Sequence, residues 1–300
     1  MKLMMNMMKL MQDFDTESEC RAYMEELRWP DGISCPRCAG TTISRIRKRD
    51  QFDCDSCRYQ FSVMSGTIFH DSHLALPQWF AATYLICESR KGISANQIKR
   101  MLGISYKTAW YLCHRIRAAM SEVQHKLSGT VEIDETYIGG KQRGHKGQLK
   151  NKAAVIGIRE RNGCLHFIHA NEVNQAALNE IIARNVDKTV DVIMTDDSKL
   201  YNFTTTQFSK ARHESVNHSA DEYVRYENGL ICTTNAVESA FSLFKRGIVG
   251  AWHRVSTKHL TAYLQEMAWR FNNRKNVYLF RDTMLKLIHS PNVEYKTLVA

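Results

Sequence analysis

Residues 35–57 read CPRCAGTTISRIRKRDQFDCDSC, and this stretch contains two cysteine pairs with the same spacing, Cys35 with Cys38 and Cys54 with Cys57. A C-x2-C sequence places two sulfurs on one tight turn, and two such turns can supply the four thiolates of a tetrahedral Zn²⁺ site. The residues between and after the pairs alternate like short strands. We therefore predict a zinc ribbon that binds one structural Zn²⁺. The alternative, two unrelated redox-type pairs, is disfavoured by the duplicated spacing.

The composition of the chain restricts its partners and its compartment. Its 300 residues allow two or three domains, and its formal net charge of +10 is typical of proteins that bind polyanions. No apolar run is long enough to span a membrane, and the Met-rich N-terminus lacks the features of a secretory signal. Nine cysteines, four of them assigned to zinc, fit a reducing cytosol. Charge alone does not distinguish nucleic acid from acidic membranes or acidic proteins.

Residues 93–116, ISANQIKRMLGISYKTAWYLCHRI, have the pattern of a helix-turn-helix. A short helix ends at Gly103, and Ser105 can cap the longer helix that follows it. The residues on this second helix that are suited to contact DNA bases or phosphates are Tyr106, Lys107, Thr108, Arg115 and Arg117. The alternative is an ordinary helical hairpin inside a larger core, because the motif is only moderately specific.

Acidic residues interrupt three apolar segments in the second half of the chain. Asp134 lies in the strand-like sequence VEIDET, Asp196 ends the strand-like DVIMTD, and Asn235, Glu238 and Lys245 share one face of a predicted helix. A carboxylate in a buried strand is costly unless it is paired or binds a cation. Each acid alone has an ordinary explanation, as a strand end, a turn cap or an ion pair. Together they can hold two Mg²⁺ ions about 4 Å apart, the arrangement used for in-line phosphoryl displacement.

Several segments of the sequence resemble those of one known family. VEIDETYIGGKQRGHKG, VIMTDDSKLYNF, HESVNH and TTNAVESAFSLFKRGIVGAWHRVSTKHLTAYLQEMAWRFNNR resemble the bacterial insertion-sequence transposases that join a zinc ribbon to a DDE integrase-type domain. The stretch CPRC…CDSCRYQFSVMSGTIFH resembles the ribbon of that family. The resemblance implies a ribonuclease H-like catalytic domain that cleaves double-stranded DNA at terminal inverted repeats and transfers the strand into target DNA. It also implies a homo-oligomer on DNA.

The resemblance assigns roles to the acids. Asp134 and Asp196 would be the first two catalytic acids and would bind two catalytic Mg²⁺ or Mn²⁺ ions. The third position is open, because the helix motif of the family carries an Asn and a Glu three residues apart. We favour Glu238 because a carboxylate binds Mg²⁺ more strongly than a neutral amide, and Asn235 is the alternative. Lys245 is expected to contact the DNA phosphate near the scissile bond.

A basic segment follows the first acid. No acidic residue occurs between Thr136 and Arg159, and the basic residues predicted there to contact DNA phosphates are Lys141, Arg143 and Lys146. The alternative for each of them is a solvated loop.

The sequence therefore predicts a multidomain α/β protein. The predicted domains are an N-terminal helix with the zinc ribbon (13–70), a helix-turn-helix region (74–127) and a ribonuclease H-like mixed α/β domain (128–285). The predicted function is a DNA transposase that works by divalent-metal-dependent phosphoryl transfer in the bacterial cytoplasm, on the nucleoid when bound to DNA, with no membrane partner. The alternatives are a non-catalytic DNA-binding regulator and an inactive domesticated transposase. A regulator does not need acids on two strands and a helix.

Overall fold

The computed structural model describes residues 5–121, 125–139, 152–201, 207–217, 220–227 and 229–300. The chain divides into two units, one formed by Met1–Ser121 with Lys275–Ala300 and the other by Glu122–Arg274. This division differs from the three predicted domains, because the ribbon, the predicted helix-turn-helix region and the C-terminal residues fall in one unit. Within the described ranges, no helix is both long and apolar enough to cross a lipid bilayer.

The secondary structure is mixed. The helices are α1 (Met7–Asp13), α2 (Glu17–Arg28), α3 (Leu76–Glu88), α4 (Ala95–Leu102), α5 (Tyr106–Ala119), α6 (Gln175–Asn185), α7 (Asn235–Gly247), α8 (Thr257–Asn272), α9 (Leu279–His289) and α10 (Tyr295–Val299). The strands are β1 (Ile43–Ile46), β2 (Gln51–Cys54), β3 (Gln60–Phe61), β4 (Thr130–Ile138), β5 (Ala153–Glu160), β6 (Leu165–Ala170), β7 (Val192–Asp196), β8 (Arg212–Val216), β9 (Arg225–Glu227) and β10 (Leu230–Cys232).

The ribbon is a small antiparallel sheet in the order β1-β2-β3. Its core consists of aromatic rings and cysteines: the Trp29 ring lies 5.5 Å from that of Phe52 and 5.9 Å from that of Phe61, and Cys35 and Cys54 are buried beside them. A module of fewer than about 40 residues usually needs a metal, disulfides or a partner to be stable. The fold of the ribbon is therefore expected to depend on a bound metal.

Local chemistry determines where α4 ends and α5 begins. Gly103 adopts the left-handed conformation with φ of 66°, which glycine allows without steric cost, and it ends α4. Ser105 Oγ then accepts a hydrogen bond from the backbone N–H of Thr108 at 3.1 Å, as the sequence predicts. Three apolar residues that lie along one face of α5 are buried: Ala109, Leu112 and Ile116.

Helix α9, which precedes the last helix of the chain, packs against α2 and α3. The Phe280 ring lies 6.4 Å from that of Phe14 and 5.8 Å from that of Phe80. The predicted boundary at residue 285 assigned most of α9 to the catalytic domain, whereas the structure assigns all of it to the first unit. Helical periodicity indicates that α9 buries one face but does not indicate the partner, which is why the boundary differs.

The second unit is built on a mixed five-stranded sheet in the order β6-β5-β4-β7-β8. The strands β6, β5 and β4 are antiparallel to one another, and β4, β7 and β8 are parallel. Helix α6 covers one face through Leu178 and Ile182, and α7 covers the other through Val237 and Phe241. Because side chains alternate along a strand, the even-numbered residues of β4, including Asp134, face α7.

Gly157 allows α7 to approach the sheet closely. A Cβ added at Gly157 would lie 2.6 Å from Cζ of Phe241 and 2.7 Å from Cγ2 of Val237, distances that real side chains do not reach. Gly157 is paired with Asp134 on the neighbouring strand. The glycine therefore brings the beginning of α7 next to the strand that carries Asp134.

Candidate active site and metal centre

The two cysteine pairs converge on one point. Sγ of Cys35 lies 3.7 Å from Sγ of Cys57, Sγ of Cys38 lies 3.6 Å from Sγ of Cys54, and all four sulfurs lie within 4.8 Å of one another. A tetrahedral Zn²⁺ with Zn–S bonds of about 2.3 Å has sulfur–sulfur edges of about 3.8 Å. The cluster therefore has the dimensions of a four-thiolate zinc site, as the spacing predicts.

We expect the purified protein to contain about one Zn²⁺ per chain and the Cys54→Ser variant to contain less, because a hydroxyl is a poorer zinc ligand than a thiolate. Metal analysis after gel filtration measures this. Cys20→Ser is the matched control, since Cys20 is also fully buried in the same unit but lies outside the cluster. Full zinc occupancy in a variant with all four cluster cysteines changed to Ser would contradict the assignment.

An open cleft of about 820 Å³ in the second unit brings the predicted acids together. Asp134 from β4, Asp196 from the end of β7 and Glu238 from the first turn of α7 all line it, and so does Lys245. Asn235 is exposed and does not line the cleft. The other described residues that line the cleft are Glu135, Thr136, Asp197, Asn217, Phe241, Ser242, Arg246 and Val249.

Two further acids, Glu135 and Asp197, line the cleft without being predicted from the sequence. Each directly follows an assigned acid: alternation along β4 would place Glu135 on the face opposite Asp134, and Asp197 lies just beyond the end of β7. Both nevertheless line the cleft. The carboxylate of Glu135 accepts a hydrogen bond from the hydroxyl of Tyr201, and that of Asp197 accepts one from Nδ2 of Asn217 at 3.1 Å.

The pKa of Asp134 is strongly perturbed by its buried position among other acids. Burial raises the pKa of its carboxyl to about 7, and the negative charges of Glu135, Asp196 and Glu238 add to the rise. A cation in the cleft would remove both effects, because it would replace the lost solvation and screen the repulsion. The ligand set consists of carboxylate oxygens, which suit a hard cation such as Mg²⁺.

We expect Asp134→Asn to raise the free energy of unfolding at pH 8 when no divalent cation is added. The pKa of Asp134 is about 7 in the folded protein and 3.8 in a free carboxyl group. As the pH rises between these values the unfolded chain loses its proton first, so the folded state loses about 1.4 kcal/mol of stability per pH unit. The amide of Asn does not titrate in this range, so the variant does not lose this stability as the pH rises.

Urea unfolding at pH 5 and pH 8 measures this effect. Asp197→Asn, which removes one negative charge from an exposed position of the same cleft, is the control. An equal change of stability at both pH values in Asp134→Asn would contradict the titration of Asp134.

The predicted DNA-contacting residues of α5 occupy different environments. Tyr106 and Lys107 are exposed, with the Lys107 ammonium 4.5 Å from the ring centroid of Tyr295, and the Thr108 hydroxyl lies near Ser105. Arg115 and Arg117, by contrast, are only 3% and 1% exposed, contrary to the prediction that they contact DNA. The predicted DNA contacts Lys141, Arg143 and Lys146 lie outside the described residues.

Arg115 lies inside the first unit rather than on its surface, contrary to the sequence-based expectation. Its guanidinium donates hydrogen bonds to the backbone oxygen of His70 at 2.8 Å and to Oδ1 of Asn292 at 2.9 Å, and it lies over the rings of Trp79 and Tyr111. The helical pattern of α5 could not indicate this, because three of these four partners, His70, Trp79 and Asn292, lie outside α5 and far away in the sequence.

Comparison with known proteins gives two family matches and one relative. Residues 15–60 match the transposase zinc-ribbon domain, and residues 126–272 match the ISXO2-like transposase domain. A protein of Halobacterium salinarum, described as an uncharacterized protein in the transposable element ISH50, is 28% identical over 278 residues, which cover 86% of this chain and 91% of the relative. The first matched range contains the cysteine cluster, and the second contains the acids of the cleft.

Proposed function

Because this chain belongs to the insertion-sequence transposases that join an N-terminal zinc ribbon to a DDE transposase domain, we propose that it cleaves and joins the DNA ends of an insertion sequence by divalent-metal-dependent phosphoryl transfer. The observation that carries the proposal is the convergence of Asp134, Asp196 and Glu238 in one open cleft. These acids come from two strands and a helix that are far apart in sequence. A DNA-binding regulator has no need for such a group.

In this proposal the three acids hold two Mg²⁺ or Mn²⁺ ions. When bound, the ions would lower the pKa of the attacking water or 3′-hydroxyl and stabilise the leaving oxygen. The chain itself would position the DNA. Lys245 lies two turns after Glu238 on α7 and lines the same cleft, so its ammonium is suited to bind the phosphate next to the scissile bond. Arg246 adds a second positive charge there.

The fold supports the finer assignments of the proposal. A mixed sheet with helices on both faces supports a ribonuclease H-like catalytic domain. The short helix α4, the Gly103 turn and the capped helix α5 support a helix-turn-helix that binds the terminal inverted repeats. Tyr106, Lys107 and Thr108 remain its proposed DNA contacts. Arg115 is instead proposed to support α5 from the interior.

A strand-cleavage assay tests the proposed function. The purified protein is incubated with linear DNA that carries the ends of its own element, with and without Mg²⁺, and the products are mapped on a sequencing gel. We expect Mg²⁺-dependent cleavage at the element ends. Specific binding of those ends without cleavage, in both Mg²⁺ and Mn²⁺, would favour the regulator or the inactive relative instead.

We expect Lys107→Ala to weaken binding to the element ends and to reduce the slope of log affinity against log salt by about 1, because one phosphate contact is lost. Fluorescence anisotropy at several salt concentrations measures both quantities. Asp196→Asn is the control, since it changes the cleft and not α5, and it should bind the ends as the wild type does. Equal binding by the wild type and Lys107→Ala at every salt concentration would contradict the DNA contact.

A further inference from the structure

Glu132 is a buried acid of the second unit that does not line the cleft. Its side chain is 1% exposed, and its Oε2 accepts hydrogen bonds from the backbone N–H groups of Ala236 at 2.9 Å and Val237 at 3.1 Å. These groups lie in the first turn of α7, where the N-cap residue Thr234 makes no side-chain capping hydrogen bond to the helix backbone. A carboxylate from β4 therefore satisfies donors that a helix cannot satisfy internally, and its charge lies at the positive end of the helix.

The other oxygen of Glu132 is held by Arg161. The guanidinium donates to Oε1 of Glu132 at 3.1 Å and to the backbone oxygen of Ile231 at 2.9 Å, and it lies 3.0 Å from Sδ of Met194. Met194 is on β7, two residues before Asp196, and Ile231 is on β10. The pair of Glu132 and Arg161 thus connects β4, which carries Asp134, to β7, which carries Asp196, and to α7, which carries Glu238.

We propose that Glu132 is a positioning residue that sets the distance between the acids of the cleft and thereby the affinity of the cleft for divalent cations. The inference rests on the proposed function. Asp134 lies two residues after Glu132 on the same strand face, and Glu238 lies one residue after Val237, whose N–H the Glu132 carboxylate binds. A shift of α7 relative to β4 would change the spacing of Glu238 from Asp134, and Mg²⁺ demands near-ideal ligand geometry.

Replacement of Glu132 by Gln tests the proposal. Both groups that the carboxylate binds, the helix N–H groups and the Arg161 guanidinium, are donors, so the amide NH₂ of Gln must face one of them. We expect Glu132→Gln to bind Mn²⁺ about 10–100-fold more weakly than the wild type, the loss typical of residues that support metal ligands. Calorimetric titration of the zinc-loaded full chain with Mn²⁺, without DNA, measures the affinity. Cleavage should need a correspondingly higher Mn²⁺ concentration.

Glu266→Gln is the matched control. Glu266 is fully buried in the same unit and forms an ion pair with Arg270 at 3.1 Å, but both residues belong to α8 and neither lines the cleft. We expect this variant to lose thermal stability and to keep the Mn²⁺ affinity of the wild type. Glu132→Asp, which keeps the charge but is one methylene shorter, should show a smaller loss of affinity and replaces Glu132→Gln if the latter does not fold.

Two results would overturn the positioning role of Glu132 without contradicting the proposed function. One is wild-type Mn²⁺ affinity in a folded Glu132 variant, and the other is a loss of affinity in Glu266→Gln as large as that in Glu132→Gln. Asp134→Ala separates these results from a failure of the proposed function. If the wild type and Asp134→Ala bind Mn²⁺ with equal affinity, the proposed metal site is absent, and the proposed role of Glu132 is then wrong as well.

Discussion

Asp196→Ala is expected to abolish strand cleavage while leaving folding and binding of the element ends intact. Asp196 ends β7 and lines the cleft, so its removal takes a carboxylate from the proposed metal site without creating a cavity in the sheet core. Divalent ions contribute several kcal/mol of transition-state stabilisation in such sites, which corresponds to a loss of about 10³-fold or more in rate. Asp134→Ala should have the same effect.

The rate of product formation on end-carrying DNA, followed by gel, measures this loss. Asp197→Ala is the matched control, because Asp197 follows Asp196 directly and also lines the cleft but is not a proposed ligand. Circular dichroism and end binding establish that each variant is folded. Cleavage by Asp196→Ala or Asp134→Ala at the wild-type rate would exclude the proposed mechanism.

Glu238→Ala is expected to lose far more cleavage activity than Asn235→Ala. The two residues begin the same helix, but Glu238 lines the cleft and Asn235 is exposed outside it. The carboxylate of Glu238 is also oriented, because its Oε1 accepts a hydrogen bond from the hydroxyl of Thr234 at 2.9 Å. A carboxylate is the stronger ligand for Mg²⁺ than an amide.

Cleavage rates of the two variants in Mg²⁺ and in Mn²⁺ measure the difference. Mn²⁺ should partly restore a weakened site, because it is less strict than Mg²⁺ about coordination geometry. The reverse order, with Asn235→Ala the more damaged variant, would transfer the third ligand position to Asn235 and leave Glu238 to support it.

The features that the sequence predicted depend on short-range chemistry. A C-x2-C sequence places its two sulfurs on one turn, so the cysteine cluster could be predicted from the spacing of the cysteines alone. The start of α5 followed from Ser105, whose side chain caps the helix that begins one residue later. Asp134 and Asp196 could be expected to share a site, because each lies in or at the end of an apolar strand, where a carboxylate is costly unless it is paired or binds a cation.

The features that the sequence did not predict depend on partners distant in the chain. Arg115 is buried by contacts that include Asn292, and α9 packs through Phe280 against the N-terminal helices. Glu132 could be recognised as an acid in an apolar strand, but its partners in the first turn of α7 lie more than 100 residues away. Periodicity reports which face is buried and not what covers it.

Asp134, Asp196 and Glu238 are proposed to form a single metal site, and iron-mediated cleavage of the polypeptide tests this most directly. Fe²⁺ replaces Mg²⁺ in the zinc-loaded full chain, ascorbate and peroxide generate radicals at the bound ion, and mass spectrometry locates the breaks. We predict breaks near all three acids, suppressed by excess Mg²⁺ and absent in Asp134→Ala. Breaks at only one of the three segments, or an unchanged pattern in Asp134→Ala, would contradict the site.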